Sequence, residues 1–150
     1  LVRHLLDLMP PQELAETVLS LYDRGDSSER RGVLRGLGSL AEAQPDLPAP
    51  VVAAGVQITA DALRTNETGL VAAAAGPFAA AYLDQHNWRH AVLKLVFMGV
   101  SLTAVTDLQD RADDELARMA ADFAAEREAA GRTVPDDVHL LLNRAATNLP

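Results

Sequence analysis

Apolar residues recur at helical spacing along the whole chain, in segments separated by Pro- and Gly-bearing breaks. Leu1, Leu5 and Leu8 form a first stripe, ended by Pro10 and Pro11. Pro11 suits the opening turn of the next helix, with Gln12 and Glu13 beside its positive end. Leu14, Val18 and Leu21 give that helix an i, i+4, i+7 face, and Gly25 suits a left-handed closing position. Asp26 with Glu29 fits a capping box and opens a helix through Val33, Leu34 and Leu37. Gly32 and Gly36 lie inside it, each costing roughly 1 kcal/mol against Ala. Their spacing predicts a close helix crossing that Ala would obstruct. Arg30, Arg31 and Arg35 read as a solvated or salt-bridged face, with an anion site as the alternative.

Residues 41–50, AEAQPDLPAP, form a linker between two helical layers. A helix then runs from Pro50 to about Arg64, with Val51, Val52, Val56, Ile58 and Leu63 as its apolar set, and Thr65-Asn66 breaks it. A short Ala-rich helix follows, then a break at Gly76-Pro77 and another short piece from Phe78 to Leu83. The next helix begins near Asp84 to Asn87. At about 100° per residue, Trp88, Val92, Leu95 and Gly99 share one side, Leu93, Val96 and Val100 widen it, and Phe97 and Met98 cover much of the rest. A helix this apolar is expected to be central and buried. Its polar strip holds Asn87, His90, Lys94 and Ser101, while Arg89 sits near the start, where its head can reach out. A last long helix is expected from about Leu108 to Ala130, with Leu108, Ala112, Leu116, Met119 and Phe123 as its stripe and Gly131 closing it. Glu126 and Arg127, on or beside that stripe, are expected to be partly buried. A final helix starts near Pro135, with Asp136 and Asp137 on its positive end and Leu140 to Leu142 apolar on two sides.

These elements predict an all-α fold, residues 1–150 as one domain, built of stacked antiparallel helical hairpins like a short HEAT-like solenoid. No repeat recurs at a fixed period, so an irregular helical bundle is the alternative. Composition agrees: 49% of residues are apolar but only 4% are aromatic, which favours close-packed helices over a β-branched sheet core.

Charge narrows the partners. A net charge of −8, from 21 acidic and 13 basic residues, argues against nucleic acid and against general adhesion to anionic lipid. The absence of Cys excludes disulfides, thiolate metal sites and Cys nucleophiles. No run reaches the roughly 18–20 apolar residues of a membrane span, and no secretory signal is visible. A cytoplasmic location is expected, although an opening Leu is compatible with a leader already trimmed.

The unusual polar residues collect between Asp61 and Phe97. His86 and His90, four apart, could share a helix face with Asp61 or Asp84 as a carboxylate ligand, but they lack the HExxH arrangement. Neither a metal nor a cofactor is expected. Lys94, beside Phe97 and Met98, needs a partner if buried. Asp61, Asp84, Asp113 and Glu115 are the candidates for a buried ion pair, and the functional alternative is a pocket cation that holds an anionic ligand. Arg64 and Asn66 end a helix in a loop that could face Trp88. Arg offers a bidentate grip on a carboxylate or phosphate, and Trp an apolar wall with one donor. No Ser/His/Asp ordering, Gly-rich phosphate loop or paired-carboxylate motif is present.

Three blocks together carry a family likeness. They are YDRGDSSERRGVLRGL at 22–37, ALRTNETGL through WRHAVLKLVF at 62–97, and DLQDRADDELARMAADFAAEREAAGRTVPDDV at 107–138. The set resembles the EboA family of bacterial proteins over most of the chain. The resemblance implies an accessory or adaptor protein of a system that makes or exports a specialised metabolite, with no reaction to carry over. Its partners would be other proteins of the same gene cluster, a UbiA-like membrane prenyltransferase among them, with a homodimer also open. The alternative is a binding protein or enzyme for an anionic or prenylated intermediate, with Arg64, Trp88 and Lys94 in its pocket. Positions matching the family pattern are Arg64, Asn66, Trp88, Lys94, Phe97, Arg111, Glu115, Glu126, Arg127 and Arg132. All but Phe97 and Arg132 are expected to be ligand-binding. The chain departs from the family at Gly76-Pro77-Phe78, where many members carry an Asn-Pro-Tyr-like turn, and neither His86 nor His90 belongs to the pattern.

Overall fold

The computed structural model describes the backbone of residues 8–147 and the side chains as far as Leu142. The stripe begun by Leu1 and Leu5 lies outside the described residues. Within them the fold is all-helical. The elements are α1 (Pro11–Arg24), α2 (Ser27–Ala43), α3 (Ala49–Leu63), α4 (Thr68–Ala74), α5 (Pro77–Tyr82), α6 (Gln85–Met98), a 3₁₀ turn (Leu102–Ala104), α7 (Leu108–Arg111), α8 (Asp114–Ala129) and α9 (Asp136–Thr147).

Local chemistry sets the boundaries. Pro11 opens α1, and the Asp26 carboxylate caps α2 by accepting from the Glu29 amide at 2.8 Å. Asp84 caps α6 through the Asn87 amide and side chain. Those two bonds, the side-chain one foremost, hold the Asp84 carboxyl below its usual range. Gly99 closes α6 at φ 71, the left-handed conformation that costs glycine nothing. Gly25 closes α1 in an extended conformation instead. Space is what it supplies: a Cβ there would lie 2.9 Å from the Leu21 carbonyl oxygen and 3.0 Å from the Glu29 Cβ.

Packing joins α1 to α3, α2 to α5, α4 to α6 and α8 to α9. A helical bundle or a stack of helices describes these pairings equally well, and they single out no solenoid repeat. The core falls into two clusters. Leu14, Tyr22, Leu34, Leu37, Leu40, Val51, Ile58, Leu70 and Phe78 fill the first. Trp88, Val92, Leu95 and Val96 of α6 anchor the second, with Leu102, Leu116, Phe123, Val138 and Leu141 around them. Leu63, at the end of α3, packs against both.

Four expectations need correction. First, the Gly32–Gly36 pair makes no crossing, because nothing lies within 4 Å of a Cβ built at either. The close approaches are elsewhere: the Phe78 ring would sit 2.2 Å from a Cβ at Gly55, and Pro77 3.2 Å from one at Gly38. Second, α1 turns Leu14, Ala15 and Tyr22 inward and leaves Leu21 56% exposed. Third, the long helix from Leu108 breaks at Ala112. Asp113 turns extended to cap α8 at the Leu116 amide, a bond a helical Asp113 could not make. Glu126, expected to be partly buried, is exposed, while Arg127 is half-buried as expected. Fourth, α6 is not buried all round: Phe97 is 61% exposed.

Candidate functional site

The second half of α3, with Arg64 at its C-cap, and the polar strip of α6 face each other across an open cleft of about 440 Å³. Val56, Ala60, Leu63 and Arg64 form one wall, and Asn87, His90, Ala91, Lys94 and Phe97 form the other, with Leu83 and Leu93 completing the lining. The cleft lies where Leu63 joins the two core clusters, so each wall is anchored in a different cluster. Helical spacing explains the second wall: Asn87, His90 or Ala91, Lys94 and Phe97 follow one another at three or four residues along α6.

Lys94 makes none of the expected ion pairs among the described residues. Among these residues its Nζ donates only to Asn66 Oδ1, at 3.5 Å. Each proposed partner is engaged elsewhere. Asp61 accepts from the Tyr22 hydroxyl at 2.8 Å and lies 3.5 Å from the Arg64 guanidinium. Burial first, and then the Asp61 carboxylate, raises the Tyr22 phenol well above its ordinary value. Asp84 caps its own helix. Asp113 accepts from Arg89 Nε and Nη2, the shorter bond 2.6 Å, and from Gln85 Nε2. Arg89 is the main reason that the Asp113 carboxyl lies far below the usual range. Glu115 pairs with Arg118 at 2.6 Å, so its charge is spent within α8.

Arg64 and Lys94 are therefore brought together in one cleft, with Asn66 against Lys94. The cleft lining carries two cations and no carboxylate, on a protein of net charge −8. Such a local field favours an anion against the sign of the whole. His86 and His90 stack edge to face 4.5 Å apart, and no third His, Cys, Asp or Glu completes a metal-binding group among the described residues.

Trp88 and Arg111 stand apart from this cleft. Trp88 is 1% exposed, inside the second core cluster. The Arg111 guanidinium lies over its ring, 5.0 Å from the centroid. Arg111 donates to the carbonyls of Ala79, Ala80 and Leu83, at 3.0, 3.1 and 2.8 Å, and to Gln85 Oε1. These carbonyls belong to the closing end of α5, the negative end of its dipole. Arg111 is thus a cap and cross-brace that holds α5 and the start of α6, and burial lowers its pKa. Glu126, Arg127 and Arg132 line a second concavity with Phe97, Phe123 and Ala130.

Sequence reasoning missed the apolar lining from Ala60, Leu63 and Leu83 and discounted His90, which lines the cleft though it completes no metal group. The polar strip of α6 was the available signal. An apolar groove between α1 and α2, of about 390 Å³, was also unforeseen. Leu14, Val18, Leu21, Val33, Leu37 and Leu40 line it around the open faces of Gly32 and Gly36.

No curated protein and no solved structure matches the chain. The family model that matches it, over residues 14–143, is described as EboA, metabolite traffic protein EboA.

Proposed function

This chain belongs to the EboA family, and from that premise we propose that it is an accessory protein of metabolite handling that holds a small amphipathic anion in the α3–α6 cleft. One observation carries the reading: Arg64 and Lys94 line the same cleft from opposite walls, among apolar side chains and with no carboxylate in the lining. A cation kept only for stability would be expected to sit against Asp61 or Asp113; Lys94 sits against neither, while Arg64 reaches Asp61 only at 3.5 Å with its side chain 72% exposed. The volume lies within the roughly 300–1,000 Å³ usual for small-molecule sites. Leu63, Leu83 and Phe97 suit the hydrocarbon part of a ligand, and Arg64 and Lys94 suit its carboxylate or phosphate. The cleft offers two cations, the Asn87 amide and the His90 imidazole, and its lining shows no hydrogen-bonded nucleophile–base pair, so the reading is one of binding.

Within this reading the helical domain works as a single unit, and Trp88 and Arg111 serve the cleft indirectly by fixing the start of α6. Among the described residues no helix is long and apolar enough to cross a membrane. A cytoplasmic location, and contact with membrane-bound enzymes of the kind the family resemblance implies by protein–protein docking, belong to this proposal. An adaptor with no ligand is the competing reading, supported by the absence of any reaction to carry over from the family.

Native mass spectrometry of protein purified from its own host separates the two. The ligand reading expects a retained acidic small molecule, lost in Lys94→Met while the helical circular-dichroism spectrum and melting temperature hold. A wild-type protein that carries no adduct and accepts none from a host metabolite extract would leave the adaptor.

A further inference from the structure

Phe97 lines two concavities at once. On one side lies the cleft of Arg64 and Lys94; on the other, a lobe of about 340 Å³ holds Phe123, Glu126, Arg127, Ala130 and Arg132. Phe97 leans edge to face on Phe123, with ring centroids 4.5 Å apart, and most of its surface stays open to solvent. An aromatic ring held by a neighbour yet left uncovered makes an apolar saddle between two polar basins.

The second basin is also cationic on balance. Arg127 lies over the Phe123 ring, 5.7 Å from its centroid, and its Nε donates to the Thr133 carbonyl. The Arg132 side chain makes no hydrogen bond or ion pair among the described residues. Two guanidiniums thus stand against the single carboxylate of Glu126. Arg127 is oriented by its two contacts, whereas Arg132 keeps its full donor fork for a ligand.

Resting on the anion reading of the first cleft, we propose that the two basins are one site bridged by Phe97. Its ligand is an elongated amphiphile with an acidic group at each end: one for Arg64 and Lys94, the other for Arg127 and Arg132, with the hydrocarbon between them lying over Phe97. A ligand with a single acidic group would leave one basin empty.

The test is calorimetric titration of the wild type with a series of linear α,ω-alkanedioates, each beside the monocarboxylate of equal carbon number. The proposal expects one range of lengths in which the diacid binds about tenfold more tightly than the monoacid, the worth of roughly one added charge-assisted contact. Arg132→Gln should abolish that advantage and leave monoacid affinity within about twofold, with the melting temperature unchanged because the side chain has no structural partner among the described residues. Lys94→Gln should weaken both acids. If no diacid outbinds its monoacid, or if Arg132→Gln leaves the advantage in place, the two-basin site is overturned. Monoacid binding that still depends on Lys94 would then leave the first cleft standing, whereas a wild type that binds neither acid removes both proposals.

Discussion

Lys94 and Arg111 show how differently two buried-looking cations behave. Both were read as ligand-binding positions, and both lie near the start of α6 or on it. Lys94 ends in a cleft with one long contact to an amide oxygen. Arg111 is consumed by three backbone carbonyls and Gln85. Arg111→Met should therefore lower unfolding stability by about 2–4 kcal/mol, since several buried acceptors lose their donor at once. Chemical denaturation checks this, and a loss below about 0.5 kcal/mol, the size of an ordinary surface change, would refute the cross-brace role. The polar strip of Asn87, His90 and Lys94 was legible from spacing alone. The partner of each charge was not, because Asp61 and Asp113 meet Tyr22 and Arg89 only across the fold, while Asp84 and Glu115 are taken up locally by Asn87 and Arg118.

Among the elements, helix starts were easier to read than helix interiors. Pro11, Asp26 and Asp84 open their helices as their residue types dictate. The break between α7 and α8 escaped because the apolar stripe continues through Ala112 without a Gly or Pro to mark it, while Asp113 supplies a cap that looks like any other acidic residue. Glycine was misread for a similar reason: a spacing of four shows that two glycines share a face, and says nothing about what that face meets. Gly32→Ala and Gly36→Ala should each raise stability by up to about 1 kcal/mol, because the new methyl meets nothing. Gly55→Ala should lower it by about 1–3 kcal/mol, because the Phe78 ring has to move. Thermal melts of the three variants decide it. A stabilised Gly55→Ala, or a Gly32→Ala as damaging as Gly55→Ala, would contradict the packing described.

At the scale of the molecule, the all-α class was plain from periodicity and low aromatic content. The division into two core clusters was not, since it depends on which helices meet rather than on which positions are apolar. That division gives the protein its cleft. Leu63 ties the clusters together, and beyond it the end of α3 and the strip of α6 leave a gap lined with two cations. The central claim is that this gap, and not the apolar groove between α1 and α2, receives the ligand. The most direct measurement is a two-dimensional amide NMR titration with dodecanoate, for wild type and Lys94→Gln. The largest shifts should fall at Leu63, Arg64 and His90 to Phe97 and should be strongly reduced in the variant. Shifts centred on Leu21, Gly32 and Gly36, or shifts indifferent to Lys94→Gln, would contradict the account.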